Sequence, residues 1–347
     1  MKRYIRAIYT PKVGVPWSNQ ETFERIGIRL AKIQAPGPEK QALLDFVRLL
    51  LIGTRTRYAQ CSDFLWLNSF RDHASAFERA VSDSMEALRL SLQADSPDCR
   101  FDAVLGVSSV GQVLPGISDR ASRAFTPWVG RDAILLDIGN GGCTASVRAI
   151  QAAVRLGPEV KNTLIVVTEP ASTMADATSL NRSNWQGICT FGDGAAAVWI
   201  SNQGANGSLE LSQVASWQGR ESDLIRWDYG PNYYQFGLSD PEQFEVKVRN
   251  EILEAMSHLP WQRNPAALWA VHPAGIMLLL SIAKKLGIER LALEPSIRHF
   301  RAFSNMSGAS ILHVLGDVIL RATPGQEVRW LSMGAGFHVA YGSGSRV

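Results

Sequence analysis

The sequence predicts an α/β protein in which parallel strands alternate with crossover helices, arranged as two halves of similar plan. Three observations predict it. From about residue 80 onward, short apolar runs of strand length alternate with stretches of helical periodicity. Each half closes the same way, on a Gly-x-Gly turn followed by a strand: GDG precedes AAAVWI (195–200), and GAG precedes residues 337–341. A polar, Gly-rich segment, SNQGANGS (201–208), lies between the halves and reads as a linker or turn. The division therefore falls at 1–202 and 203–347.

The elements follow in order. Residues 82–93 carry a helical pattern. FDAVLGV (101–107) reads as a strand leading into the loop SSVGQVLPG, and AILLDI (133–138) as a buried strand. Residues 144–156 place Ala, Val, Ile and Leu at helical spacing, and NTLIVVT (162–168) is again a strand. In the second half AALWAV (266–271) repeats the strand-then-loop plan of FDAVLGV, and residues 308–320 form a helix before the last strand. The first 75 residues are less regular. Residues 29–60 mix basic and apolar side chains and are expected to form helices capping an entrance.

Composition narrows the function. A chain of 347 residues with 46% hydrophobic content has ample material for a buried core. Lys+Arg (35) and Asp+Glu (32) nearly cancel, leaving +3 and no basic block, which argues against nucleic-acid binding. A mildly basic surface suits an anionic cofactor or an acidic carrier protein. The N-terminus MKRYIRAIYT lacks the apolar region of a signal peptide. The longest apolar run, 276–283, stops at Lys284 and Lys285, far short of a membrane span. Cys61, Cys99, Cys143 and Cys189 form no CxxC pair, so the expectation is a cytoplasmic protein with free thiols and no metal site.

Cys143 is the leading candidate for chemistry. ILLDIGNGGCTASVRAIQAAVRLG runs strand, Gly-rich turn, Cys, helix. A thiol at the first turn of a helix meets unpaired N–H groups and the positive end of the dipole, which favour the thiolate. The layout is that of a nucleophile elbow with sulfur in place of oxygen. The other three cysteines read as ordinary buried thiols. His272 ends the strand ALWAV and precedes Pro273, so it opens toward a site, where neutral imidazole donates a hydrogen bond or acts as base. Asn305, in FSNMSGAS just before a helix, is either a helix cap or an amide donor to a developing enolate oxygen beside His272. SMGAGF (332–337) offers backbone N–H groups. Those of Ala335 and Cys143 are the candidates for an oxyanion hole. FGDGAAAV lacks the lysine of a phosphate loop and opens no helix, so nucleotide binding is set aside.

At these residues the sequence resembles the thiolase-fold condensing enzymes, between β-ketoacyl-acyl-carrier-protein synthase III and the type III polyketide synthases of the chalcone synthase kind. WAVHPAG and SNMSGAS are closest to the His and Asn motifs of the latter, and their 33-residue separation fits that family. FGDGAAAV is shared by both, GCTAS matches their cysteine motif in outline, and RWLSMGAGF resembles the C-terminal glycine loop. RTRYAQ (55–60) resembles an Arg-rich segment near the active-site entrance. The match covers residues 100–347 well and the first 100 poorly. The resemblance implies a five-layered αβαβα thiolase fold of two duplicated halves, a Cys143–His272–Asn305 triad, a pantetheine-arm tunnel and a homodimer. It also implies acyl-coenzyme A or acyl-carrier-protein thioesters as substrates, no tightly bound cofactor, and Arg48, Arg55 and Arg57 as the candidates for holding coenzyme A phosphates. Two departures stand out: Thr144-Ala145-Ser146 follows the cysteine, and Ala335 is the middle residue of the terminal Gly-x-Gly.

The implied activity is an acyltransferase performing decarboxylative Claisen condensation, as in polyketide, fatty-acid-like or other secondary-metabolite biosynthesis. Its rivals are acyl transfer to an alcohol or amine, which needs no enolate-stabilising Asn, and a non-catalytic subunit of a heterodimeric synthase, which needs no triad.

Overall fold

The computed structural model describes residues 1–53, 55–95, 99–219, 223–239, 243–261 and 264–347. In chain order the first half contains β1 (Tyr4–Tyr9), β2 (Val15–Ser18), α1 (Asn19–Lys32), α2 (Gly37–Leu50), β3 (Thr56–Ala59), α3 (Phe70–Asp95), β4 (Phe101–Ser108), α4 (Ile117–Ala124), β5 (Val129–Gly139), α5 (Ala145–Arg155), β6 (Asn162–Glu169), α6 (Arg182–Thr190) and β7 (Gly194–Ser201). The second contains β8 (Leu209–Gln218), β9 (Ile225–Tyr229), β10 (Tyr234–Leu238), α7 (Phe244–Ser257), β11 (Leu268–Val271), α8 (Ile276–Leu286), α9 (Glu294–Phe303), α10 (Gly308–Arg321), β12 (Glu327–Gly334) and β13 (His338–Arg346). Most predicted elements sit where the periodicity placed them. The helix expected at 82–93 begins a dozen residues earlier, at Phe70.

The strands form one nine-stranded array in the order β11-β12-β13-β8-β1-β7-β6-β4-β5. The expectation of parallel strands holds for β4–β5, β4–β6 and β11–β12, while β7, β1, β8 and β13 run antiparallel to their neighbours, so the sheet is mixed. The two halves repeat one plan. β4 pairs parallel with β6, followed by antiparallel β7 and β1; β11 pairs parallel with β12, followed by antiparallel β13 and β8.

The layering follows from side-chain alternation. Leu105, Val107, Ile165, Val167 and Val198 point to one side, where they pack on α5 and α10, while Val104, Leu164, Val166 and Ala197 point to the other, against α3 and α4. Val328, Trp330 and Ala340 meet α5 and α10 from the second half, and Leu331, Met333 and Val339 face α7 and α8. Helices α5 and α10 thus lie between the two halves of this one continuous sheet, with helices outside each half: αβαβα. Ile311, Leu312, Val314, Leu315 and Val318 form one broad buried face of α10.

Two sequence expectations need correction. The run AILLDI was expected to be buried on both faces, as central parallel strands are. It lies in β5, which ends the sheet order and has one neighbour, so Ile134, Leu135 and Leu136 are 39%, 38% and 43% exposed. Residues 29–60 do hold helix, but the first helix starts at Asn19. Ser18 and Glu21 form a capping box there, with Ser18 Oγ accepting from the Glu21 N–H at 3.1 Å and Glu21 accepting from the Ser18 N–H at 2.8 Å. With α2, β3 and α6 these elements build a separate apolar cluster around Trp17, Leu43, Phe64 and Trp185. Among the described residues no helix is long and apolar enough to cross a membrane.

Candidate active site

Cys143, Asn305, Ala335 and Arg57 line one cavity of about 430 Å³, whereas His272, Arg48 and Arg55 are not on its wall. Cys143 enters it from the single 3₁₀ turn Gly142–Thr144, between the end of β5 and the start of α5. The turn is held by close backbone approach. Gly142 has φ +55°, and a Cβ there would lie 2.9 Å from the Ala335 nitrogen; a Cβ on Gly334 would lie 2.7 Å from the nitrogen of Cys143. The Ser332 hydroxyl donates to the Cys143 carbonyl at 2.6 Å. The two glycine turns therefore interlock, which sets Cys143 and Ala335, the candidate oxyanion residues, side by side on the cavity wall.

Asn305 sits in the link between α9 and α10. Its N–H donates to Thr190 O at 3.3 Å, and its carbonyl accepts from Gly192 N at 2.9 Å, so it is stitched to the FGDG turn. Its Oδ1 accepts from the Ser307 N–H at 2.9 Å, and the carboxamide reaches 4.0 Å from the Cys143 Sγ. His272 follows β11, whose last residue Val271 pairs with Leu331 of β12; the His272 N–H donates to Leu331 O at 2.8 Å. That register sets His272 level with Ser332, and so with the backbone of Cys143. His272 is 1% exposed and neither ring nitrogen has a hydrogen-bond partner. Burial holds its pKa down, at about 3, so the ring is neutral.

The thiol corrects one expectation. The helix start was expected to favour thiolate, but burial, reinforced by the nearby Glu169 carboxylate, pushes the Cys143 thiol up to about 12. A short 3₁₀ turn with few aligned peptide units does not outweigh that desolvation. In the free protein Cys143 is therefore a thiol, and a base must remove its proton.

Glu169 is the residue that sequence reading missed. It ends β6, is fully buried, and accepts from Ser109 N at 3.0 Å and Gly308 N at 3.3 Å. Burial raises its carboxyl to about 7, although both N–H groups favour the charged form. The signal present was a lone acid at the C-terminal end of a fully apolar strand, NTLIVVTE, where such folds place their sites.

The arginine candidates separate. Arg57 is 3% exposed and donates to the carbonyls of Ile188, Cys189 and Phe191. Arg55 donates to Cys189 O at 2.7 Å and lies over the Phe300 ring. Both satisfy carbonyls at the end of α6; Arg57 is buried on the cavity wall, whereas Arg55 is half-buried. Arg48 is exposed, 3.7 Å from Asp45 and over Phe23.

The hairpin β9–β10 was also not anticipated. It brings Trp227, Phe236 and Leu238 onto the cavity wall, opposite Phe64, Met174 and Phe337. The polar groups there are engaged. Asp193 accepts from Gln60 N, Ser172 N and Ser172 Oγ, and Asn184 donates to Asp176 O and accepts from Phe236 N.

The αβαβα layering, with Cys143 and Asn305 on one cavity and His272 buried at the end of β11, is the plan of the thiolase superfamily. Comparison with known proteins narrows the class. Residues 233–346 match the family of chalcone and stilbene synthases, C-terminal domain, and residues 136–216 match 3-oxoacyl-[acyl-carrier-protein (ACP)] synthase III. The chain is 23% identical over 255 residues to the "Putative chalcone synthase" of Bacillus subtilis (strain 168), covering 69% of this chain and 68% of that one. Its fold is that of 1,3,6,8-tetrahydroxynaphthalene synthase from Streptomyces coelicolor A3(2), a bacterial type III polyketide synthase, with a TM-score of 0.81, 20% identity and 99% of each chain covered. CsyB, solved in complex with CoA-SH, superposes with a TM-score of 0.80 at 18% identity, covering 99% of this chain and 100% of that one. The chain has the thiolase fold and is similar, over the matched segments, to type III polyketide synthases and to 3-oxoacyl-[acyl-carrier-protein] synthase III.

Proposed function

We propose that this protein condenses an acyl group carried on Cys143 with a malonyl-type coenzyme A thioester, by decarboxylative Claisen chemistry. The observation that carries the reading is the Cys143 thiol and the Asn305 carboxamide, 4.0 Å apart on one apolar cavity, with the buried imidazole of His272 at the end of β11, level with the Ser332 that holds the Cys143 carbonyl. The half 1–202 supplies the thiol and the half 203–347 supplies His and Asn.

In the first stage the sulfur attacks the starter thioester while its proton moves to the neutral His272, in concert with attack because a free thiolate–imidazolium pair is disfavoured by burial of both groups. The S-acyl bond forms, and the departing coenzyme A thiolate takes the proton back. The N–H groups of Cys143 and Ala335 hold the oxygen that becomes negative in the tetrahedral intermediate. In the second stage a malonyl thioester loses carbon dioxide. Its electron pair moves onto the thioester oxygen as an enolate, which His272 and the Asn305 Nδ2 stabilise as donors. The enolate carbon attacks the acyl carbonyl, and the sulfur of Cys143 leaves. Because Asn305 Oδ1 is occupied by Ser307 N–H, Nδ2 is the end of the amide free to act.

The wall chemistry selects the starter. With Asn184, Asp193 and Arg57 engaged within the protein, Phe64, Met174, Trp227, Phe236 and Leu238 face the void. An apolar acyl chain fits this lining better than a hydroxylated or charged one. Four free cysteines accord with a reducing, cytoplasmic setting. The test is carbon dioxide release from labelled malonyl-coenzyme A together with condensed product. Product without carbon dioxide would point to simple acyl transfer, and no turnover with any starter would sink the proposal.

The same reading includes a homodimer formed through β5. This 11-residue edge strand exposes Ile134, Leu135 and Leu136, and Leu114, in the loop packed beside Asp137 of that strand, is 93% exposed. Unpaired N–H and C=O groups along an apolar edge are a template for a second copy under two-fold symmetry. Leu135→Asp is expected to weaken association at least ~100-fold in analytical ultracentrifugation, as a charge is driven into the buried edge. A wild-type protein that stays monomeric at micromolar concentration would rule the interface out.

A further inference from the structure

Asn305 lies in a strained link. Ser304 and Ser307, on either side, both adopt positive φ, 62° and 48°, which non-glycine residues occupy only when their surroundings hold them. The upstream ties are to α9 and to the FGDG turn. The downstream tie is a side-chain relay. The Met306 N–H donates to the Ser310 hydroxyl at 2.7 Å, and that hydroxyl lies 3.0 Å from Nε2 of His299. The Ser310 oxygen accepts from Met306 and keeps both a second lone pair and its own proton, so its contact with Nε2 is a hydrogen bond in either tautomer of the His299 ring. The ring is buried, stacked on Phe303 at 5.1 Å and edge-on to His313 at 5.4 Å; His313 is in turn fixed to Ala195 O at 2.9 Å.

We infer that His299 is a positioning residue for Asn305: through the Ser310 hydroxyl it fixes the Met306 N–H, and with it the strained link that aims the Asn305 amide at the cavity. Without a partner at Nε2, the Ser310 hydroxyl is free to rotate, Met306 loses a directed partner, and the link relaxes. Catalysis by an oriented amide is sensitive to such relaxation, since displacements near 1 Å reduce rates on the order of 100-fold.

This inference rests on the condensation reading, and the experiment separates the two. His299→Leu, His299→Gln and Ser310→Ala are compared with wild type in two assays: acylation of Cys143 by a starter thioester, followed by intact mass, and carbon dioxide release from malonyl-coenzyme A. Acylation does not use Asn305, so His299→Leu and Ser310→Ala should acylate within about twofold of wild type while decarboxylating on the order of 10- to 100-fold more slowly. His299→Gln, whose side-chain oxygen accepts from Ser310, should recover most of the loss. Parallel losses in both assays, or decarboxylation at the wild-type rate in both disrupting variants, would overturn the inference. A wild-type protein that acylates but releases no carbon dioxide would overturn the condensation reading itself. Should His299→Leu fail to fold, Ser310→Ala reads the same relay from its other end.

Discussion

Replacing Cys143 with alanine is expected to abolish product formation, by ~10⁴-fold or more, while leaving malonyl decarboxylation measurable. The dissociation follows from the division of labour in the cavity. Only the sulfur can hold the starter through a covalent bond, whereas the enolate oxygen is met by His272 and Asn305. Asn305→Ala is expected to do the reverse. It should allow a full mass increment on Cys143 and reduce carbon dioxide release on the order of 10²- to 10³-fold, the range seen when one preorganised donor is removed. Intact mass and labelled carbon dioxide read the two stages separately. If Cys143→Ala still makes product, or if Asn305→Ala blocks acylation as strongly as decarboxylation, the assignment of roles is wrong.

The three candidate residues stood out in the sequence because each sits at a punctuation mark. Cys143 follows glycines at a strand-to-helix turn, His272 ends a strand before a proline, and Asn305 precedes a helix. Chain ends of elements are where α/β folds present chemistry, and local pattern reports element ends well. What the pattern cannot report is depth. Glu169 ends a strand just as His272 does, yet nothing local says that its carboxyl is shut away between Ser109 and Gly308, residues 60 and 139 positions distant. Arg57 reads as a surface cation until α6, more than 120 residues later, supplies the carbonyls that bury it. The misplacement of β5 has a related cause. An apolar run is the same string whether a neighbouring strand or a second protein covers it.

The β9–β10 hairpin was overlooked for another reason. RWDY and YQFGL are short runs of alternating character around Gly230, Pro231 and Asn232, a turn signal that a search for α/β units passes over. Yet this hairpin lines the acyl cavity. The superfamily-level fold came from the repeated plan of the two halves, whereas the features that select a substrate come from a local addition to it.

Glu169→Gln is expected to change both the stability and the reactivity of the site. The carboxyl has a pKa of about 7 in the folded protein against an ordinary 4.5, because burial disfavours its charge. A raised folded pKa means a contribution that is fully present below pH 4.5 and lost as pH rises through 7. The unfolded chain gains the free energy of ionisation throughout that window and the folded chain does not. The displacement corresponds to on the order of 3 kcal/mol. His272 and His313, held down at about 3 and about 4, act in the opposite direction and lose their contribution as pH falls below 6.5. They are common to both proteins and cancel in the comparison. Urea unfolding at pH 5 and pH 8 should therefore show the variant gaining on wild type by up to that amount at the higher pH. The same carboxylate opposes a second negative charge on Cys143, so its removal should shift the pH profile of Cys143 alkylation to lower pH. Superimposable alkylation profiles, together with a stability difference that does not vary with pH, would mean that Glu169 is uncharged and uncoupled from the thiol. The acid then matters as a source of tension: it lends the site a titratable group at neutral pH, poised against the nucleophile, at the expense of stability in the range where the protein works.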